Sequence, residues 1–343
     1  MAIAFNDDQV LAVGFEGLEP RGLHQARFGH DGVSLGAPEV VQSAMAQQFN
    51  LTPRAAWNGS VWGVVYGTRS NISPGGQARF VVLDESGDIV AGPVTVGSGL
   101  FTEAQIVWVD DAFAMVWHDG PNNLWFGQVD DQAMATDLEL LQNVSIRSNG
   151  VALVRAGNEL GLAWTRSGDV EFQRLSLDGT PLTQPTAVLA DALSPPELLW
   201  NGEGYMGVAV VEPDPDQRRV QLFELAPNGT PVGDPLDLME AEHRENNNSV
   251  AAHSLGFADQ GQELGVTYLA MRDGDVSPEV YFHRVGYDGE LLGEELRVSA
   301  ADAVYGSIEP WLLWTGNGYL AAWRGNKEPS GWDAWVRSVC PGG

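Results

Sequence analysis

Lysine is almost missing from this chain, and cysteine is nearly so. Of eighteen basic residues only Lys327 is a lysine, the rest being arginine, and they face forty-six acidic residues for a formal charge of −28. A surface of that sign repels nucleic-acid phosphates and anionic lipid, so DNA, RNA and membrane surfaces are poor partners. The single cysteine, Cys340, has no intrachain partner. Neither a disulfide framework nor a cysteine-ligated metal site can be built from it, and the redox compartment stays open. No run approaches the roughly 20 apolar residues of a membrane span. The start, Met1 to Phe5, lacks the basic region and long apolar stretch of a secretory signal. That leaves a cytoplasmic protein, or a secreted, periplasmic or cell-surface one whose leader has been removed. Helical periodicity is missing as well, and no polar linker divides the chain.

What is present is 343 residues, 44% of them hydrophobic, ample for a buried core and long for one domain unless that domain is a barrel or a repeat array. A repeat is visible. IAFNDDQVLAVGF, AAWNGSVWGVVY, IVWVDDAFAMVW, LVRAGNELGLAW, LLWNGEGYMGVAV, LGFADQGQELGVTY and LLWTGNGYLAAW each read as strand, tight turn, strand. A first aromatic column runs Phe5, Trp57, Trp108, Arg155, Trp200, Phe257, Trp314, broken once, at spacings of 45 to 57 residues. A second runs Gly14, Tyr66, Trp117, Trp164, Ala209, Tyr268, Trp323.

Each unit continues with a third segment alternating at period two, such as VEFQRLSL, VYFHRVGY and DAWVRSV. Arg27, Arg79, Arg174, Arg284 and Arg337 are expected at one equivalent position in it. Asp31-Gly32, Asp178-Gly179, Asn228-Gly229 and Asp288-Gly289 then supply hairpin turns that need positive φ. A fourth strand follows, often after proline, which lacks an amide donor and suits an outer edge.

Four antiparallel strands in each unit is the arithmetic of a propeller blade. The expected fold is all-β, a single seven-bladed β-propeller over 1–343, with six or eight blades as alternatives. Blades are expected near 2–43, 51–97, 103–142, 148–189, 196–239, 250–299 and 308–339, the last supplying only three strands. The chain thus resembles the broad class of bacterial repeat-built propellers over residues 2–338. The WD dipeptide, the paired glycines of kelch blades and the Ser-x-Asp-x-Gly-x-Thr-Trp box are missing at the repeat positions, so the resemblance stops at the superfold, which implies no activity.

Most chemistry-bearing motifs dissolve once placed on the repeat. Gly32-Val33-Ser34-Leu35-Gly36 matches a nucleophile elbow but aligns with the third-to-fourth strand turns, where no helix follows. Gly316-Asn317-Gly318 is a hairpin rather than a dinucleotide loop. The six histidines show no metal-ligand spacing, so zinc is not expected. Asp273 and Asp275 cluster carboxylates of the kind calcium takes, without the full spacing of a calcium loop; solvated acidic loops explain them better, and no other cofactor is implied.

A positional coincidence remains in the second-to-third strand loops. They carry Arg69, Arg166, Arg272 and Arg324, with His118 in the third unit, behind the aromatics Trp117, Trp164, Tyr268 and Trp323. One reading has each arginine pinning its loop to an acid such as Asp119, Asp169 or Asp273. The other makes them a cationic ring at the channel mouth that receives an anionic group, with the aromatics against a sugar ring. The resulting expectation is a non-catalytic, lectin-like propeller whose partner is a carbohydrate, anionic groups favoured, or a protein surface. Two alternatives stand beside it: a polysaccharide hydrolase or lyase using carboxylates and His118, and a scaffold for protein assembly. Oligomeric state is not legible.

Overall fold

The structure is a computed structural model, and it describes residues 2–6, 8–16, 22–43, 48–70, 76–99, 101–119, 123–136, 139–143, 150–214, 217–242, 255–272, 275, 277–299, 307–328 and 331–339. These form strands without a helix, grouped as the seven blades of a β-propeller. Sheet one holds β1 (Ala2–Phe5), β2 (Val10–Glu16), β3 (Gly22–Phe28) and β4 (Glu39–Ser43); sheet two holds β5 (Gln48–Trp57), β6 (Trp62–Ser70), β7 (Gly76–Leu83) and β8 (Ile89–Gly99). Sheet three is β9 (Phe101–Val109), β10 (Ala112–Asp119), β11 (Asn123–Val129) and β12 (Glu139–Asn143), and sheet four is β13 (Val151–Ala156), β14 (Glu159–Arg166), β15 (Asp169–Ser176) and β16 (Thr186–Leu189). Sheet five follows with β17 (Glu197–Trp200), β18 (Tyr205–Asp214), β19 (Gln217–Leu225) and β20 (Leu236–Glu242), then sheet six with β21 (Gly256–Asp259), β22 (Leu264–Ala270), β23 (Glu279–Val285) and β24 (Leu291–Arg297). Sheet seven has three strands among the described residues, β25 (Ser307–Trp314), β26 (Tyr319–Glu328) and β27 (Gly331–Val339). Strands neighbour one another in chain order within every sheet.

Contacts divide the chain into two compact units: Met1–Gly29, Val33–Leu162 and Gln173–Gln184 in one, and His30–Gly32, Ala163–Phe172 and Pro185–Gly343 in the other. In the first unit, Leu11, Val13, Trp62, Val64 and Leu83 form one apolar layer, and Phe80, Ile106, Phe113 and Met115 form the next. In the second, Val208, Leu222, Val266 and Tyr268 pack together, as do Phe282, Leu312, Tyr319 and Trp323. These are the inward residues of period-two strands, one sheet face against the next.

The first aromatic column does its packing at the hairpin. Trp57 meets Trp62 at 4.6 Å between ring centroids, Trp108 meets Phe113 at 4.7 Å, Trp200 meets Tyr205 at 4.8 Å and Trp314 meets Tyr319 at 5.0 Å. All four are directly opposed cross-strand pairs, the geometry in which side chains approach most closely. Phe257 does not belong with them: it opposes Val266, and the residue beside its hairpin is Asp259, opposite Leu264. The longer turn of this unit misleads an alignment by residue type.

The five strand-borne arginines also divide, contrary to a single equivalent position. Arg27 opposes Leu11 and Arg284 opposes Gly265, each one place into the second strand. Arg337 opposes Ala321, two places in, and Arg79 opposes Tyr66, four places in. Odd and even places point to opposite faces of a strand. Their partners differ as well. Arg284 forks onto Glu263 at 2.7 and 2.5 Å, and Arg174 onto Glu159 at 2.8 and 2.7 Å. Arg79 and Arg337 instead donate to the backbone carbonyls of Pro93 and Val298. Both glutamates begin a Glu-Leu-Gly run, Glu159 opening β14 and Glu263 just preceding β22, a signal present in the sequence that residue-type columns do not record.

Turns of one sheet lie on the side chains of another. Within the first unit, Gln9 Nε2 donates to the Glu85 carbonyl at 2.6 Å and Gln128 Nε2 to the Leu177 carbonyl at 2.9 Å. Gly179, at φ +91°, sits so close to Phe126 that a Cβ would stand 2.3 Å from the ring. In the second unit, a Cβ at Gly32 would stand 3.4 Å from Leu320 of sheet seven.

Candidate functional site

Of the loop arginines singled out from sequence, Arg166 ends its second strand, Arg272 closely follows one and Arg324 lies inside one, four residues before its end, and all three are ion-paired. Arg166 ends β14, where the tight turn Ser167-Gly168 (φ 54° and 97°) reverses the chain and brings Glu171 of β15 to 3.1 Å. Arg324 of β26 meets Glu309 of β25 at 3.1 Å. Glu309 has φ +51°, in the left-handed region rare for a side chain of its size, inside the register shift between Ile308 and Trp311. Arg272, two residues past β22, forks onto Glu295 of β24 through Nε at 2.9 Å and Nη2 at 2.6 Å. The loop-pinning reading is therefore correct in kind, with Glu171, Glu309 and Glu295 as the acids among the described residues. A ring of bare cations is not what these residues make. Each positive charge is balanced by a carboxylate, although the arginine side chains keep 41%, 31% and 33% of their surface in water for Arg166, Arg324 and Arg272.

Two further expectations need correction. Trp117, Trp164, Tyr268 and Trp323 are buried in the core, because the second strand is an interior strand of each sheet and their positions face the neighbouring sheet. They cannot stack on a sugar. On the third strands Trp125 and Trp335, directly opposite Trp117 and Trp323, are partly exposed. His118 is 2% exposed, and burial, partly offset by a hydrogen bond with the Asn123 backbone, pushes its pKa down to about 4. A neutral, enclosed imidazole belongs neither to a cationic ring nor to proton transfer with an outside ligand.

The His118 environment carries a stability prediction. A base whose folded pKa lies below its unfolded value of about 6.5 supports the fold fully above that pH and loses that support as pH falls through the folded value. Between pH 6.5 and 4 the loss is about 3 kcal/mol at 1.36 kcal/mol per unit. In urea unfolding, the His118→Gln variant is expected to lack this increment, so its stability relative to wild type should rise by about that amount from neutral pH to pH 4. Parallel pH profiles for the two proteins would show that His118 titrates normally.

Sheet six holds the densest polar set, gathered where β22 ends, β23 starts and β24 finishes. Glu295 accepts from Tyr268 Oη as well as from Arg272, and the Arg272 guanidinium carbon lies 5.2 Å from the centre of the Tyr281 ring. Burial pushes the Glu295 pKa upward, yet the hydrogen bonds from Arg272 and Tyr268 and the charge of Arg272 outweigh it and hold the carboxyl below its ordinary range. Burial and the same glutamate drive Tyr268 far above a normal phenol. Beneath this pair, Asp275 accepts from the Arg272 amide at 2.8 Å, Tyr281 Oη at 2.7 Å and Arg297 Nη1 at 2.8 Å. Glu279 faces Arg297 Nη2 at 3.0 Å and accepts from Ser299 at 2.5 Å. Asp275 is thus an ion-pair residue whose two oxygens take three donors. Asp273 and the side chains of Arg69 and Asp119 lie outside the described residues. Among the described residues no three histidine, cysteine or carboxylate side chains gather as a metal set, and no helix is long and apolar enough to cross a membrane.

Glu171, Glu295, Glu309, Tyr281 and Arg297 escaped the sequence reading. Glu295 and Arg297 lie more than twenty residues from Arg272, across two turns, and only the sheet register brings them together.

No protein-family model matches the chain, and no characterised protein matches it in sequence. Solved structures match its fold. A prolyl endopeptidase superposes with a TM-score of 0.56 at 12% identity, covering 99% of this chain and 50% of its own. A putative 6-phosphogluconolactonase from Bacteroides uniformis gives 0.54 at 10% identity, covering 98% and 97%. Trypanosoma rangeli sialidase in complex with 2,3-difluorosialic acid gives 0.52 at 9%, covering 82% and 53%. The chain spans about half the length of the peptidase and of the sialidase. At these identities the likeness is one of fold.

Proposed function

We propose that this propeller is a non-catalytic carbohydrate-binding protein that takes a neutral saccharide at the loop ends of sheets four, six and seven. One observation carries the reading: Arg166–Glu171, Arg272–Glu295 and Arg324–Glu309 are three ordered, partly exposed arginine–carboxylate pairs, the first two where β14 and β22 end and the third beside the start of β25. Each pair offers donors and acceptors side by side with no net charge, which is the hydrogen-bonding character of sugar hydroxyls. Their mutual pairing orients them before a ligand arrives, so little side-chain entropy is lost on binding. Trp335, partly exposed across from Trp323, offers an apolar face for a sugar ring, worth on the order of 1 kcal/mol. One protein of like fold, the sialidase, is in complex with a sugar derivative, 2,3-difluorosialic acid.

Anionic glycans are the weaker fit, because an incoming carboxylate or sulfate meets a glutamate beside every arginine on a chain already at −28. Calorimetric titration of neutral, uronate-containing and sulfated oligosaccharides at low and high salt tests this. Binding of a neutral member with little salt dependence and no reducing-end release is expected. Salt-sensitive binding confined to charged glycans, or release of products, would overturn the neutral or the non-catalytic part respectively. Binding of a protein with no glycan bound would transfer the same face to a protein partner.

A further inference from the structure

Resting on the carbohydrate reading, we infer that the Arg272–Glu295 pair is the specificity subsite, and that it reads two adjacent hydroxyls of one sugar ring. The two side chains are held from below. Asp275 accepts from the Arg272 backbone amide and Arg297 anchors Asp275, while Tyr268 fixes one oxygen of Glu295. Neither long side chain is left to search for its geometry, and yet they remain 33% and 26% exposed.

Counting donors and acceptors shows what is left over. Arg272 spends Nε and one Nη2 hydrogen on Glu295, and among the described residues Nη1 has only a 3.5 Å contact to the Met271 carbonyl. A guanidinium has five N–H donors, so hydrogens on Nη1 and Nη2 remain. On Glu295, Oε1 receives both Tyr268 and Arg272 Nη2, whereas among the described residues Oε2 receives only Arg272 Nε. A carboxylate offers about four lone-pair directions, so one on Oε2 remains. The unfilled capacity is one acceptor joined through the fork to donors. A vicinal diol completes it: one hydroxyl donates to Glu295 Oε2 and its neighbour accepts from the guanidinium. A ligand carboxylate fits less well, because Glu295 takes the Nε/Nη2 edge and its charge stands beside the Nη1/Nη2 edge that is left.

The test uses the neutral oligosaccharide that binds wild type most tightly and its monodeoxy analogues lacking one hydroxyl each. Loss of about tenfold in affinity is expected for each of two adjacent positions, and Glu295→Gln should lose about tenfold on the parent sugar while no longer distinguishing the analogue that lacks the donated hydroxyl. Arg272→Lys, which keeps the charge but not the fork, should blunt discrimination at the neighbouring position, and it decides the matter if Glu295→Gln does not fold. Wild-type discrimination retained unchanged in a folded variant would overturn the subsite and leave the carbohydrate reading standing. Failure of wild type to bind any glycan would overturn both.

Discussion

Gly179→Ala is expected to destabilise the protein by about 3 kcal/mol, and Gly202→Ala by only about 1 kcal/mol. The two glycines have matched backbones, at φ +91° and +96°, so the left-handed strain of an added side chain is common to both. Their surroundings differ. A Cβ at Gly202 meets nothing within 4 Å, while one at Gly179 stands 2.3, 2.5 and 2.7 Å from three atoms of the Phe126 ring. Phe126 is almost fully buried in sheet three and cannot swing clear without opening the core. Overpacking of this kind typically costs 1–3 kcal/mol beyond the strain. The difference between the variants in chemical unfolding therefore isolates the packing of the fourth sheet's turn on the third sheet. Equal losses would mean that this turn does not rest on Phe126.

Removing Arg297 is the larger perturbation. Asp275 and Glu279 keep 2% and 1% of their side-chain surface in water, and Arg297 pairs with both, at 2.8 and 3.0 Å. Arg297→Ala would leave two enclosed anions without their cation, which in buried ion pairs costs about 3–5 kcal/mol. The expected cause is the stranded charge rather than lost packing, and a second variant separates them. Arg297→Met combined with Asp275→Asn and Glu279→Gln keeps the volume and removes all three charges, and it should recover most of the stability. If the triple variant is as unstable as Arg297→Ala, shape rather than charge holds this corner of sheet six together.

The blades were legible because their evidence is local. An Asn-Gly or Asp-Gly pair between two alternating segments specifies a hairpin wherever it falls, and six of the seven sheets repeat the motif through four strands. Burial was less legible than it looked. Trp164 and Tyr268 resemble binding aromatics when read along the chain, but an interior strand of a stacked sheet has no solvent face. The arginines show a second limit. Arg79 and Arg284 occupy similar places in their segments, yet a shift of register turns them to opposite faces. Register depends on turn length and bulges, which residue-type columns do not record. The partners of Arg272 and Arg324 were hidden for a related reason. Glu295 comes from the outer strand of its sheet and Glu309 from a left-handed position inside a bulge, and neither is near its arginine in sequence.

The central claim is that the arginine–carboxylate pairs at the loop ends bind a ligand as well as pin their loops. Titrating the best neutral oligosaccharide against wild type and an Arg166→Ala/Arg324→Ala double variant, with near-ultraviolet circular dichroism confirming the fold, tests it most directly. These two pairs are partly exposed and lie outside the Arg272 subsite, so a ligand spanning the face should lose about tenfold or more in affinity while the protein stays folded. Unchanged affinity in the folded double variant would contradict the account and leave those arginines as loop pins alone.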